Sequence, residues 1–510
     1  MSPHNALHIT PPTRRSPDLA GLVATLPHGT FADSIPQNIT VAGLSLDSRK
    51  IRPGFLFAAL KGEKADGRNF IPQALESGAT CLLLGEKDKA PDGIPVLRAA
   101  NPRRAFALLT AAFYRDQPDT ITAVTGTNGK TSTVQFCRQL WEHLGEKPAA
   151  LGTLGIDAPA LGISEEDGGI TTPDPETLHE TLAALAEKHC THLAMEASSH
   201  GLAQYRLDGV RVRAAGFTNL SRDHLDYHKT EENYLTAKLR LFTDLLPQGG
   251  TAVLNGDDAV CAQVAAACAE KQILTYSLKD KNAALAVLAR NPEPDGQRIT
   301  LRAFGKNYAL FFPLVGAFQL YNALCALGLV LAESGRKPED VVPLLEKLAP
   351  VRGRMEYIGA PKDKKSAIYV DYAHTPDALE NVLNALRPHT TGKLHVLIGC
   401  GGDRDSGKRP VMGEAAARLA DHVIVTDDNP RSEDPDAIRA AVMQGCPAAE
   451  NIAGRREAIF KAVAALRDGD ILAVTGKGHE QGQKIGDTVL PFDDARVVRE
   501  ALDAAQSGDV

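Results

Sequence analysis

Aromatic residues are few in this 510-residue chain: they make up 5% of it and include a single Trp. A surface of stacked rings for single-stranded nucleic acid is therefore not expected. Excess positive charge is also missing. The formal net charge is −7, which argues against a broad polyanion-binding face and so against a nucleic-acid partner. It leaves room for a small anionic substrate held by local Arg and Lys. The cysteines, Cys81, Cys137, Cys190, Cys261, Cys268, Cys325, Cys400 and Cys446, form no Cys-x-x-Cys pair. That scatter reads as reduced core thiols, and a cytoplasmic location is expected. No uninterrupted apolar run reaches the roughly 18 residues that suggest a membrane span. Met1–Arg15 lacks the apolar core of a secretory signal and is rich in Pro and polar residues. Residues 1–17 are expected to form a disordered leader.

What is present is an ordinary globular composition, 43% hydrophobic, and a length that suits about two to four domains. Three α/β blocks are expected, over residues 18–118, 119–349 and 350–510. The first has short strand patterns at Val41–Leu46 and Cys81–Leu84. The second alternates strands (His192–Met195, Ala214–Thr218, Ala252–Leu254) with helical stretches, the signature of a parallel sheet covered by helices. The third alternates again, with strands at Ile368–Val370, Leu394–Ile398, His422–Thr426 and Ile471–Thr475. This reads as a Rossmann-like domain. In it, Thr375-Pro376 reads as an N-cap followed by Pro at the first helical position.

The most telling run opens the second block: Gly126-Thr127-Asn128-Gly129-Lys130-Thr131-Ser132. It follows the β-branched, apolar segment Ile121–Val124 and precedes the helical pattern Val134–Leu144. A strand, a glycine turn and a helix N-terminus direct free backbone N–H groups at an anion. Lys130 adds a point charge for the outer phosphates, and Thr131 offers a hydroxyl to Mg²⁺. The spacing is not the standard phosphate loop, because Val124 stands where the first glycine would fall. A nucleoside triphosphate and Mg²⁺ as its cofactor are expected from this run.

Other polar runs follow strands. Glu196, in Met195–His200, lies at the carboxyl end of a strand, where α/β proteins bind ligands. A carboxylate there suits a hard cation, although a solvated helix-cap acid is the alternative. Thr218–His228 holds two His and two Asp in reach of a metal or phosphate, although a histidine here reads equally as a surface residue. Periodicity alone places Lys238, in the amphipathic stretch Tyr234–Phe242, on a solvated face. In the third block, Asp371–Pro376, Gly399–Asp405, Asp428–Arg431 and Gly476–Glu480 each follow a strand, which favours one shared ligand site. Arg404 and Arg431 suit carboxylates, and Asp428 and Glu480 suit an ammonium group. That combination fits an amino acid with more than one carboxylate.

The runs Gly126–Thr131, Glu196–His200, Asn219–His228 and Asp371–Pro376, in this order, resemble the Mur ligases of bacterial cell-wall synthesis. The resemblance covers nearly the whole chain after Asp18. Within the family, the intact Asp428-Asn429-Pro430-Arg431 is similar to the branch that adds meso-diaminopimelate to UDP-N-acetylmuramoyl-L-alanyl-D-glutamate. The resemblance implies a UDP-binding first domain, a phosphate-loop ATPase domain and a Rossmann-like amino-acid-binding domain. It implies that Leu46 and Ser48 contact the UDP end, and that Thr171, Thr172, Ser198, Gln204 and Arg206 hold the muramoyl-peptide. Asn322, Arg354 and Asp371 then join Gly126–Ser132 in binding ATP. Arg404, Asp428, Asn429, Pro430, Arg431, Gly476 and Glu480 bind diaminopimelate. Lys238 becomes a carbamylated lysine that helps organise Mg²⁺ with Thr131, Glu196 and His224, and Lys130 completes the catalytic set. A monomer acting on small molecules is expected. The chain departs from the family pattern at Ile170 (often Asn), Ser132 (commonly Thr), Arg68 (often His) and Gln481-Gly482-Gln483 (usually Asp-Tyr-Gln). A folylpolyglutamate synthase shares the phosphate loop but not the Ser198–His200 and Asp428–Arg431 runs. A non-enzymatic nucleotide switch would leave the third-block Arg and acid loops without a purpose.

Overall fold

The computed structural model describes residues 16–32, 35–62, 65–165, 170–221, 223–268, 270–293, 296–362 and 365–507. All but the last two residues of the expected leader lie outside this set. The contacts divide the chain into two units. One holds residues 1–286 and 322–342, and the other holds 287–321 and 343–510.

The first unit begins with a four-stranded parallel sheet, Gly43–Ser45, Phe55–Ala58, Ala79–Gly85 and Val96–Ala99, in chain order. The helix Pro102–Tyr114 turns Phe106 and Leu109 into the core on one face of that sheet. Asn101 caps the helix by accepting from Arg104 N at 3.1 Å, and Pro102 follows at the first helical position, where a missing N–H costs nothing.

The larger sheet of this unit is centred on Thr120–Thr125. All six residues of that strand are buried, as expected of a strand covered on both faces. Its parallel neighbours are Val212–Phe217 on one side and His192–Glu196 on the other. The next strand in sequence, Pro148–Gly152, pairs beyond His192–Glu196, so the chain reverses direction across the sheet at Thr120–Thr125. Ligands bind at the carboxyl ends of strands beside such a switch point. Thr251–Asn255 and Gln272–Ser277 extend the sheet in parallel, while Gly155–Ala158 and Ile163–Glu165 add antiparallel strands at the opposite edge.

The second unit carries the antiparallel pair Gly296–Ala303 and Lys306–Phe312 and a six-stranded sheet. In that sheet Ala367–Asp371, Ile471–Thr475, Leu394–Ile398 and His422–Val425 lie side by side and parallel. Their four carboxyl ends therefore share one edge. Thr375 caps the helix Pro376–Leu386 by accepting from Ala378 N at 3.3 Å, as the Thr-Pro pair suggests. Among the described residues no helix is long and apolar enough to cross a membrane, and the eight cysteines are free thiols, seven of them buried.

Candidate active site

The phosphate loop leaves the central strand and enters the helix Lys130–His143, whose N-cap is Gly129 with φ 84°. Gly126 has φ 145°, and a Cβ there would stand 1.9 Å from Thr218 Oγ1. A Cβ on Gly129 would stand 2.2 Å from Asn322 Oδ1. Both glycines are thus required by conformation and by space. Asn322, distant in sequence, is brought against the loop. Lys130 Nζ donates to Gly126 O at 3.0 Å and Thr127 O at 2.8 Å, folding its charge over the loop. Thr127 Oγ1 accepts from Ser221 N at 3.0 Å and lies 3.2 Å from the Tyr234 hydroxyl. Asn128 N donates to Asn219 Oδ1 at 3.0 Å.

Glu196 ends the neighbouring strand and is buried, not a solvated cap. Its Oε1 accepts from Thr131 Oγ1 at 2.9 Å and from Thr153 N at 2.9 Å. Its Oε2 accepts from Thr153 Oγ1 at 3.2 Å. Gly152 leaves the room: a Cβ there would lie 2.2 Å from Glu196 Oε1. Thr153 was not legible as a site residue, because only the pairing of Pro148–Gly152 with His192–Glu196 brings it here. Carboxylate and hydroxyl oxygens are hard donors, so Thr131 and Glu196 fit Mg²⁺. Among the described residues no group of three His, Cys, Asp or Glu side chains could hold a metal. A sparse protein donor set suits Mg²⁺, which keeps several waters and takes phosphate oxygens.

Lys238 overturns the periodicity reading. It is 1% exposed, and its Nζ donates to Gly126 O at 2.7 Å and lies 4.3 Å from the Tyr234 ring centroid. Burial holds the amine well below the usual lysine range; the charge of Lys130 pushes the same way and Asp223 opposes both. Periodicity failed because it sees one helix and not what packs on it. His224, by contrast, is half exposed. Its ring meets His200 at 4.8 Å and Tyr234 at 6.3 Å, and its Nε2 lies 3.4 Å from Asp223.

The residues expected to hold the muramoyl-peptide form one cluster. Thr172 Oγ1 donates to Glu196 O at 2.9 Å and accepts from Ser198 N at 3.0 Å. Ser198 caps the following helix by accepting from Gly201 N. Arg206 donates to Thr172 O at 2.7 Å and to Gln204 Oε1 at 2.7 Å. Thr171 lies 3.1 Å from Thr153. Leu46 packs against the core of the first sheet, and buried Ser48 donates to Gln73 Oε1 at 2.8 Å. Of the departing positions, Ile170 is exposed and Arg68 pairs with Asp66 and Asp88.

In the second unit, Asp371 accepts from Met355 N at 2.7 Å and Ala373 N at 2.8 Å. Burial raises its carboxyl, against the pull of Arg354. The Arg354 guanidinium lies 4.6 Å from the Tyr372 ring centroid. On the shared strand edge, Asn429 Nδ2 donates to Glu480 Oε2 at 2.8 Å. Arg431, with φ 53°, donates to Gly402 O at 2.7 Å. Gln483, one of the departures, donates to Asp428 O at 2.7 Å. Gly476 has φ 113°, and a Cβ there would lie 3.1 Å from Asp428 Oδ2. Arg404 is exposed on the Gly399–Asp405 turn.

Residues 124–330 match the Mur ligase middle domain, and residues 353–478 match the Mur ligase glutamate ligase domain. Residues 40–116 match the catalytic-domain model of the Mur ligase family. UDP-N-acetylmuramoyl-L-alanyl-D-glutamate–2,6-diaminopimelate ligase of Caulobacter vibrioides is 49% identical over 471 residues, covering 92% of this chain and 96% of that protein. The chain belongs to the Mur ligase family. The Bradyrhizobium diazoefficiens enzyme of the same name is 48% identical over 470 residues, covering 91% of this chain and 95% of that protein. A solved structure of a UDP-N-acetylmuramoyl-L-alanyl-D-glutamate–2,6-diaminopimelate ligase superposes with a TM-score of 0.71 at 34% identity, over 96% of this chain and all of that one. The three expected α/β parts thus correspond to the three Mur ligase domains.

Proposed function

We propose that this Mur ligase adds meso-diaminopimelate to the D-glutamate γ-carboxyl of UDP-N-acetylmuramoyl-L-alanyl-D-glutamate, using ATP, in the cytoplasmic synthesis of peptidoglycan precursor. What carries the reading is 49% identity over 92% of the chain to an enzyme of that name. The intact Asp428–Arg431 run, on the strand edge of the second unit, supports it. In this reading residues 18–118 take the UDP end, 119–349 the ATP, and 350–510 the amino acid. The chain works as a monomer.

A carboxylate is a poor electrophile. Transfer of the ATP γ-phosphoryl group to the γ-carboxylate turns it into an acyl phosphate and releases ADP. The amine of diaminopimelate then attacks the acyl carbon, the C–O bond to phosphate breaks, and the nitrogen loses its proton. Lys130 and the backbone N–H groups of Gly126–Ser132 offset charge on the transferring group. Asn322, Arg354 and Asp371 complete the nucleotide site. Thr131 and Glu196, with help from Lys238 and His224, would hold Mg²⁺, which would neutralise phosphate charge. Leu46 and Ser48, with Thr171, Thr172, Ser198, Gln204 and Arg206, hold the acceptor. Arg404 and Arg431 take carboxylates of diaminopimelate, Asp428 and Glu480 take an ammonium, and Asn429, Pro430 and Gly476 shape the pocket. The test is phosphate release from ATP with the UDP-muramoyl-dipeptide, comparing meso-diaminopimelate with L-lysine. Release that requires diaminopimelate is expected. Release with lysine alone would overturn the specificity, and release independent of any amino acid would overturn the ligase.

A further inference from the structure

Lys477 is wholly buried, 0% exposed, two residues after the end of the strand Ile471–Thr475. A buried Lys is rare and needs partners. Its Nζ donates to Asn429 Oδ1 at 2.9 Å and Glu480 Oε2 at 3.2 Å, and lies 3.6 Å from Asp428 Oδ1. All three partners are residues proposed above to receive diaminopimelate. Lys477 itself carries no such role there.

Two consequences follow from these contacts. Asn429 Oδ1 accepts both from Lys477 Nζ and from Lys484 N, each at 2.9 Å. That fixes the amide orientation, so Nδ2 must face Glu480. Second, one ammonium stands beside two carboxylates, Asp428 and Glu480. It reduces their mutual repulsion while leaving a net charge of about −1 by formal count, enough to attract one further cation. Asp428 is itself buried, and its Oδ1, 3.6 Å from Lys477 Nζ, makes no hydrogen bond.

We propose that Lys477 is a positioning residue that fixes Asn429 and, with it, orients Asp428 and Glu480 to receive the ammonium group of the incoming amino acid. This rests on the reading of Asp428–Arg431 and Glu480 as the amino-acid site. Lys477→Met keeps the length of the side chain and removes its charge and donors. The KM for meso-diaminopimelate should rise on the order of 10-fold or more, the scale of a lost charge-assisted hydrogen bond. The KM values for ATP and for the UDP-muramoyl-dipeptide should stay close to those of the unaltered enzyme. Lys477→Gln, which keeps a neutral N–H donor, should fall between the two. If Lys477→Met does not fold, the same KM comparison on Lys477→Gln decides. A joint rise of all three KM values, or a drop in kcat with the diaminopimelate KM unchanged, overturns the proposal. If the unaltered enzyme requires a different amino acid, the substrate reading fails by itself. The variants are then measured against that amino acid, and an unchanged KM for it overturns the role of Lys477.

Discussion

Lys238 concentrates the chemistry of the first unit in one residue. Two lysines, Lys130 and Lys238, both donate to Gly126 O, and like charges so close in a buried place repel. Desolvation and that repulsion favour the neutral amine of Lys238. A neutral amine is the form that attacks CO₂, giving R–NH–COO⁻ and one proton. The carbamate nitrogen keeps an N–H for the Gly126 carbonyl, and its negative charge turns repulsion by Lys130 into attraction. The expected outcome is a carbamate carbon in the ¹³C spectrum of enzyme equilibrated with labelled bicarbonate, absent from Lys238→Met. That variant should lose on the order of 10²-fold in kcat, the scale of one removed electrostatic stabiliser. A spectrum without the signal, or a variant of normal kcat, would leave Lys238 a plain buried donor.

At the scale of elements, the strand edge of the second unit is held from behind by Arg455 and Asp494. Arg455 opens the helix Arg455–Ala465, Asp494 opens the helix Asp494–Ser507, and both side chains are 0% exposed. Arg455 Nε and Nη2 donate to the two oxygens of Asp494 at 2.7 and 2.6 Å. Nη2 also donates to Thr475 O at 2.9 Å, and Nη1 reaches Asp427 O at 3.4 Å. One guanidinium thus ties two helix starts to the ends of the strands that carry Gly476–Glu480 and Asp428–Arg431. Asp494 suits a helix N-terminus, whereas Arg455 sits against the dipole and depends on its partner. Asp494→Asn should therefore destabilise the second unit by about 3–5 kcal/mol, the cost of a buried charge left unpaired. Arg455→Met combined with Asp494→Leu should cost less than either single change. Hydrogen exchange of the Ile471–Thr475 amides reads this. Protection in Asp494→Asn equal to that of the unaltered chain would show that the pair does not hold the edge.

Over the whole molecule, what was legible in the sequence was local. Gly126–Thr131 shows itself because strand, glycines, Lys and Thr are contiguous, and the four polar loops of the second unit each directly follow a strand. Lys238, Thr153, Lys477 and Arg455 were not legible as buried partners. Each gains its meaning from a neighbour distant in sequence, and a Lys on a helix face or in a loop reads as solvated until the fold covers it. The antiparallel pair Gly296–Phe312 was missed within a block read as parallel, and its residues fall in the second unit. The same long-range burial sets a pH response. Burial pushes Glu176 and Glu333 up to about 7 from 4.5, against the pull of Lys50 on the first and the Trp141 hydrogen bond on the second. Both lie in the first unit, where Glu176 accepts from Ser45 Oγ at 2.9 Å and Glu333 accepts from Trp141 Nε1 at 2.8 Å. A carboxyl whose folded pKa is raised binds its proton more tightly when folded. Its stabilisation is complete below pH 4.5 and is lost as pH rises through 7. Asp47 works in the opposite direction: its hydrogen bond from Arg49 lowers it, so its stabilisation is lost only as pH falls below the usual carboxylate range. Trp141 is the sole Trp, so its fluorescence follows the first unit alone. The urea midpoint read by that signal should fall between about pH 5 and 8, with each carboxyl contributing at most ~1.4 kcal/mol per pH unit. Glu176→Gln keeps an acceptor for Ser45 and cannot ionise. Its midpoint should match the unaltered chain near pH 4.5 and exceed it at pH 8. Equal midpoints at both would mean that Glu176 ionises in the folded chain as it does in the unfolded one.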